Sequence, residues 1–174
     1  MAFLFRYTIN HSITFAPFMK INIPLQIIDL QDDGYHLLVD VKVGRNRYKV
    51  VLDTGASKTV FDQTMLAQAH ADVNIQSTNR LSAGLGTINM ESFTAILPDF
   101  KIGRLKLPDF EVAVLDLSNI NQAYAQLNHP QVLGVLGGDI LMRYSGVIDY
   151  GKKKLSFKIE TRAKNQEPRI SAKS

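Results

Sequence analysis

Apolar and polar residues alternate along much of the chain, and this period of two predicts β-strands. Between Tyr35 and Leu52, one face of the predicted strand collects Leu37, Val39, Val41 and Val43. The run Gly44-Arg45-Asn46 interrupts the pattern before a second apolar run begins. Residues 35–52 are therefore predicted to form a β-hairpin that leads directly into residue 53.

The rest of the chain continues in short elements. Strands are predicted at about 93–97, 106–107 and 110–115, with a closing hairpin over 146–157. A helix is predicted from Ser118 or Asn119, with an apolar core-facing stripe at Ile120, Ala123, Tyr124 and Leu127. A second, short helix is expected over 139–144. This pattern predicts a mainly β fold with one or two short helices, and a closed β-barrel is the expected architecture.

Composition excludes several classes of function. The chain has 174 residues, a formal net charge of +4 and no cysteine. Its length suits one domain, and the absence of cysteine excludes disulfides and thiol catalysis. No basic stripe with interleaved aromatic residues supports nucleic-acid binding. The four histidines lack the spacing of metal ligands, so neither a metal nor a cofactor is expected.

The domain organisation follows from these patterns. Residues 1–35 are assigned to an N-terminal extension, 36–159 to the folded domain, and the polar segment 160–174 to a disordered tail. The apolar opening is interrupted at Arg6, before a signal-peptide core or a membrane span could form. We therefore expect a cytoplasmic protein without a membrane partner. Met19 remains an alternative start of the chain.

The segment with the clearest chemical content is Asp53-Thr54-Gly55-Ala56, which follows the apolar residues 50–52. A carboxylate at the end of a buried strand must be hydrogen-bonded or paired, because burying an unpaired charge is costly. Gly55 lets the backbone come close to the group that Asp53 serves. A purely structural interpretation, a strand that ends in an Asx turn, also remains open.

Two later segments add to this picture. Residues 81–91 place Gly84 and Gly86 around Leu85, which predicts a hairpin tip that can lie close over a ligand. Residues 132–141 combine a buried strand with glycines and continue into Asp139-Ile140-Leu141.

In this order and spacing, the three segments resemble the retroviral-type (retropepsin-like) aspartic proteases over about residues 36–158. Asp53-Thr54-Gly55-Ala56 resembles the catalytic loop of that family. Residues 83–88 resemble the glycine-rich flap, and Val135-Leu136-Gly137 resembles the apolar segment behind the catalytic loop. The resemblance implies an acid-protease β-barrel, a polypeptide substrate, and a homodimer in which each subunit supplies one Asp-Thr-Gly.

The resemblance also implies roles for individual residues. Asp53, Thr54 and Gly55 would be catalytic. The implied substrate-binding residues are Ala56, Val60, Gly84, Leu85, Gly86 and Ile88. Hydrolysis of this kind needs one carboxylate as base and one carboxylic acid as acid, and a twofold axis would supply the second group. Because Ala56 has no hydroxyl to donate to the carboxylate, activity is expected at weakly acidic to neutral pH.

Two other functions remain open on the sequence. The same fold could serve as a non-catalytic dimeric peptide-binding module, which Asp53→Asn would distinguish from an enzyme by its effect on turnover. An apolar strand that ends in an acid also introduces phosphoryl-transfer loops. Those loops need crossover helices and a second acid two residues later, whereas residue 55 is glycine.

Overall fold

The computed structural model describes residues 18–69, 73–78 and 92–160. Most of these residues lie in short strands, as the alternating pattern predicted. The strands are β1 Phe18–Asp29, β2 Tyr35–Val43, β3 Asn46–Leu52, β4 Val60–Asp62, β5 Ile75–Thr78, β6 Ser92–Leu97, β7 Phe100–Ile102, β8 Leu105–Leu107, β9 Phe110–Leu115, β10 Val132–Leu136, β11 Val147–Asp149 and β12 Lys154–Glu160. The helices in these ranges are α1 Gln63–Ala69, α2 Ser118–Gln126 and α3 Gly138–Arg143.

The strands form one open sheet. Their pairing order is β11-β12-β1-β2-β3-β10-β4-β9-β6-β5, with β7 attached to β2 and β8 attached to β7. No strand of the described residues joins β11 to β5 at the two ends of this order. The mainly β prediction is confirmed, but the predicted closed β-barrel is not supported. Closure depends on pairing between distant strands, which a local apolar pattern does not specify.

The predicted hairpin of residues 35–52 is confirmed. β2 and β3 pair in an antiparallel register that places Leu38 opposite Val51 and Val43 opposite Asn46. The four apolar side chains predicted on one face of β2 are all buried in the main core. Leu38, on the other face, is also buried, in a second cluster with Val51 and Tyr124. Both faces of this hairpin are therefore covered.

β1 lies within the segment that the sequence assigned to an N-terminal extension. It pairs with β12 over Phe18–Pro24 and with β2 over Leu25–Asp29. Ile21 and Ile23 are buried in the same core as the apolar face of β2. The core thus includes side chains from before residue 35.

Helix α2 forms where predicted, but its predicted apolar stripe is buried only in part, at Tyr124 and less fully at Leu127. Ile120 and Ala123 are exposed, whereas Asn121 and Tyr124 are buried. The Asn121 amide explains this orientation, because its Oδ1 accepts from the Val132 N–H at 2.8 Å and its Nδ2 donates to the Val132 carbonyl at 3.1 Å. A buried amide that is hydrogen-bonded to a strand backbone satisfies its polar atoms.

Among the described residues, no helix combines the length and apolar character that crossing a bilayer requires.

Candidate active site

The loop of residues 53–59 is positioned by strand β10, which lies between the two strands that flank the loop. β10 pairs with β3 in parallel and with β4 antiparallel. Val135 is consequently opposite Val51 on one side and Val60 on the other. The loop leaves β3, passes over the end of β10 and returns in β4. The carboxyl ends of β3 and β10 therefore meet at the loop.

Two glycines allow this close arrangement. A Cβ on Gly134 would lie 2.0 Å from the Val60 carbonyl oxygen, and a Cβ on Gly137 would lie 2.5 Å from the Lys58 carbonyl oxygen. No side chain can occupy these positions without moving the backbone of the loop or of β4. The glycines of the 132–138 segment are thus part of what holds the loop in place.

Asp53 is exposed at the end of the buried strand β3. Its backbone N–H donates to the Leu136 carbonyl at 3.1 Å, so it is held by the end of β10. Its side-chain Oδ1 accepts from the Gly55 N–H at 2.8 Å. A carboxylate with a backbone donor on one oxygen is oriented but still accessible to solvent. This geometry suits a group that exchanges protons with a bound water or substrate.

The far end of the loop is held by a hydrogen-bonded pair, the buried Thr59 and the half-buried Asp139. Thr59 is fully buried. Its hydroxyl donates to Asp139 Oδ1 at 2.7 Å, and its backbone N–H donates to Asp139 Oδ2 at 2.9 Å. The Thr59 hydroxyl also accepts from the Gly137 N–H at 3.2 Å. One side chain from α3 thereby satisfies two donors of the loop, and hydrogen bonds to a carboxylate are among the stronger ones.

Two more contacts complete the link between the loop and α3. The Ile140 N–H donates to Asp139 Oδ1 at 2.9 Å, at the start of the helix. The Gly138 N–H donates to the Ala56 carbonyl at 2.7 Å. An acidic residue in the first turn also interacts favourably with the helix dipole. The loop is therefore attached at both ends to one continuous segment, residues 136–140.

A cavity of about 360 Å³ opens beside Asp53 and Thr54. Its walls come from β2, β3, α2 and β10. They include Tyr35, His36, Val51, Ile120, Tyr124 and Val135. The lining combines apolar side chains with polar groups, an arrangement that sites for small ligands or side chains use to fix orientation.

His36 and Tyr124 form a polar pair within these walls. The Tyr124 hydroxyl is hydrogen-bonded to His36 Nδ1. Burial raises the pKa of the Tyr124 phenol to about 12, so the hydroxyl keeps its proton at neutral pH. On the other side of Tyr124, His129 Nε2 lies 2.7 Å from the Asp29 carbonyl oxygen. These contacts attach α2 to the turn between β1 and β2.

The sequence-predicted site residues do not all meet at this cavity. Asp53 and Thr54 line it, and Gly55 contacts the Asp53 carboxylate. Ala56 holds α3 through its carbonyl, and Val60 is a strand residue paired with Val135 and Ala113. The remaining predicted residues, Gly84, Leu85, Gly86 and Ile88, lie outside the described residues. Within the described ranges, no group of three or more His, Asp or Glu side chains is arranged to hold a metal ion.

The sequence did not identify the parts of this site that come from distant segments. Thr59 and Asp139 are 80 residues apart, and His36 and Tyr124 are 88 apart. Tyr124 was predicted only as a core residue. For Asp139, the available signal was its position directly after Gly137 and Gly138. This position indicated the start of a helix and gave no information about Thr59.

Comparison with known proteins gives the chain a family. The sequence model of a family described as aspartyl protease matches residues 39–140, more than half of the chain. In structure, the chain is similar to a retropepsin-like aspartic protease from Rickettsia conorii, with a TM-score of 0.49, 16% identity, and coverage of 89% of this chain and 97% of that chain. It is also similar to the EIAV protease, with a TM-score of 0.45, 21% identity, and coverage of 61% of this chain and 85% of that chain. No protein with a curated description matches the chain.

The matched range begins in β2 and ends in α3. It therefore includes the loop of residues 53–59 and Asp139, the two parts that the hydrogen bonds above join. The match confirms the resemblance to aspartic proteases that the sequence predicted. The chain belongs to the aspartyl protease family.

Proposed function

We propose that the protein is an aspartic endopeptidase in which Asp53 and Asp53 of the partner subunit form one catalytic dyad across a homodimer. The observation that carries this proposal is the exposure and orientation of the Asp53 carboxylate. It is exposed at the rim of a cavity, and Gly55 orients it with a hydrogen bond of 2.8 Å. A purely structural aspartate at the end of a buried strand would instead be expected to have its acceptor atoms occupied by the fold.

A second copy is needed because one chain offers one suitable acid. The sequence contains a single Asp-Thr-Gly. Asp53 is the one acid that lines the cavity among the described residues. Asp139 cannot serve as the second acid, since its oxygens accept from Thr59 and Ile140. An isologous contact about a twofold axis would bring an identical carboxylate to Asp53.

Two carboxylates at such a short separation share one proton, so that one is a base and the other an acid. The base takes a proton from a water molecule, and the water oxygen bonds to the carbonyl carbon of the peptide. The acid gives its proton to the carbonyl oxygen, which forms a tetrahedral diol. The carbon–nitrogen bond then breaks as the nitrogen takes a proton from one carboxyl group of the dyad. A hydroxyl of the diol gives its proton to the other carboxylate, so the carboxylic acid and the amine leave and the dyad regains its shared proton. Thr54 and Gly55 would keep the two carboxylates aligned throughout.

The substrate is proposed to be an extended polypeptide that runs across the dyad. Ala56 and Val60 would border its path on the loop side. Residues 84–88, with Gly84, Leu85, Gly86 and Ile88, are proposed to close over it, and the two glycines would allow close approach to the peptide backbone.

The test is cleavage of a fluorogenic peptide library by the wild type and by Asp53→Asn. We expect turnover by the wild type, and none by the variant, although the variant should sediment as a dimer. The asparagine has almost the same shape as aspartate but cannot take up or give the proton. Asp149→Asn is a matched control, because Asp149 is a half-buried acid at the end of β11 and does not line the cavity.

Mixing experiments test the shared dyad. Asp53→Asn subunits are exchanged into the wild-type protein at increasing fractions. If each active site needs two intact subunits, activity falls with the square of the wild-type fraction. A linear fall would mean that each subunit acts alone. Peptide binding without turnover by either the wild type or Asp53→Asn would instead support the non-catalytic binding module.

A further inference from the structure

We propose that helix α2 forms the outer wall of a substrate side-chain subsite beside Asp53, and that Ile120 sets the size of the side chain it accepts. This inference rests on the proposed peptidase function. It assigns a specificity-determining role to a residue that the helix periodicity predicted to be core.

The first support is the position of the cavity. It contacts both Asp53 and Thr54, so a group bound in it lies next to the proposed catalytic carboxylate. Its volume of about 360 Å³ is at the lower end of small-ligand sites, which suits one large side chain rather than a whole peptide. A substrate residue adjacent to the scissile bond would therefore enter it.

The second support is the distribution of exposed apolar side chains. The described residues include eight large hydrophobic side chains that are exposed, and three of them line this cavity. They are Tyr35 at 68%, Ile120 at 39% and Tyr150 at 62% exposure. Single exposed apolar residues need no explanation, but a group around one cavity indicates a binding surface. An apolar substrate side chain would remove this surface from water.

The third support is that hydrogen bonds from other residues fix the position of α2, so the helix does not depend on the Ile120 side chain. Asn121 makes two hydrogen bonds to the Val132 backbone, and Tyr124 is bonded to His36. The Leu117 N–H, just before the helix, donates to the buried Asp62 Oδ2 at 2.9 Å. None of these contacts uses the Ile120 side chain. Its replacement should therefore change the volume of the cavity without moving the helix.

The experiment compares selectivity profiles. Peptides that differ only in one residue beside the scissile bond carry alanine, leucine, phenylalanine, tryptophan or glutamate. Their kcat/KM values are measured with the wild type, Ile120→Ala and Ile120→Trp. Ile96→Ala and Ile96→Trp are matched controls, since Ile96 is an exposed strand residue that does not line the cavity.

We expect Ile120→Ala to raise the ratio of tryptophan to leucine cleavage about 10-fold or more, because pocket size discriminates at this level per methylene. Ile120→Trp should shift the ratio in the opposite direction, towards alanine. The Ile96 variants should keep the wild-type profile. Identical profiles in all active variants would overturn the inference. A weaker dimer in Ile120→Trp with an unchanged profile would also overturn it, since the partner subunit would then cover the cavity.

A binding measurement separates this inference from the proposed function. The same peptides are titrated into Asp53→Asn and into Asp53→Asn combined with Ile120→Ala, and fluorescence anisotropy is recorded. A change of peptide preference between these two proteins supports the subsite even if the wild type cleaves nothing. Turnover by the wild type without any dependence on residue 120 supports the peptidase and overturns the subsite.

Discussion

The carboxylate of Asp139 holds Thr59 at two atoms, through the hydroxyl at 2.7 Å and the backbone N–H at 2.9 Å. Thr59 ends the loop that begins at Asp53, and Asp139 lies in the first turn of α3. The pair thus joins the candidate catalytic loop to the C-terminal half of the domain. Its hydrogen bonds are made to a half-buried carboxylate, where a lost partner is costly.

Asp139→Asn should destabilise the protein. The amide replaces one acceptor oxygen by a donor, so at least one of the Thr59 and Ile140 donors loses its partner. We expect the free energy of unfolding to fall by about 1–3 kcal/mol, the range for a buried polar group left without a hydrogen-bond partner. Urea unfolding measures this, and kcat/KM should fall as the loop loses its position. Asp109→Asn, at an exposed residue between β8 and β9, is the comparison, and an equal loss in both variants would contradict the role of Asp139.

Two adjacent glycines should respond differently to alanine. In Gly137→Ala, the new Cβ would lie 2.5 Å from the Lys58 carbonyl oxygen, so the loop must move and both stability and activity should fall. In Gly138→Ala, the nearest atom is the Ala56 oxygen at 3.4 Å, and alanine favours a helix over glycine by up to about 1 kcal/mol. Thermal unfolding should rank Gly138→Ala at or above the wild type. If Gly137→Ala were more stable than Gly138→Ala, the backbone of residue 137 would not lie as close to the loop as described.

Tyr124→Phe should change the response to alkaline pH. Burial raises the pKa of Tyr124 from 10.0 to about 12, so between these values the unfolded chain loses the proton before the folded one does. The contribution of the protonated Tyr124 to the free energy of unfolding is complete below about pH 10 and is lost as the pH rises through about 12. In Tyr124→Phe, the free energy of unfolding should not show this decrease between pH 10 and 12. At neutral pH it should be about 1 kcal/mol lower than in the wild type, because His36 loses its hydrogen-bond partner.

Urea unfolding at several pH values between neutral and strongly alkaline measures this difference. Tyr150→Phe is the control, since Tyr150 is 62% exposed. If the free energy of unfolding depends on pH in the same way in both variants, the buried Tyr124 phenol is not the cause of the alkaline decrease.

Ala56→Ser should move the acidic limb of the pH–rate profile to lower pH. A hydroxyl next to the dyad can donate to a carboxylate and stabilise its charged form, so the base remains ionised in more acidic solution. The wild type should be active at weakly acidic to neutral pH. Ala56→Gly, which adds no donor, should keep the wild-type limb. A wild-type optimum in strongly acid solution would contradict this prediction.

Local patterns in the sequence were sufficient for several elements of the fold. The apolar face of β2 and the helix at 138–143 could be predicted because each depends on residues close together in the chain. Helix α1 was missed, since it is short and buries only Leu66. The closed barrel was predicted from the number of strands, but closure depends on which distant strands pair, and the observed order leaves β11 and β5 at separate ends.

The candidate site was predictable only in its loop. Asp53 and Gly55 are neighbours, so their hydrogen bond follows from the motif itself. The partner of Thr59 and the face that α2 buries depend on contacts over long sequence separations. The predicted apolar stripe of α2 included Tyr124, which is buried, and Ile120, which is exposed. The buried face is set by the hydrogen bonds of Asn121 to Val132 and of Tyr124 to His36. A single sequence contains no local signal for such pairs.

The placement of β10 between β3 and β4 has a consequence during synthesis. Asp53 leaves the ribosome long before Val132 does, and until then the two strands that flank it have no central strand to separate them. A nascent or truncated chain that stops before residue 132 therefore holds the acid in a loop without support. The order of the elements along the chain therefore makes the support of the candidate catalytic loop depend on a strand in the last quarter of the sequence.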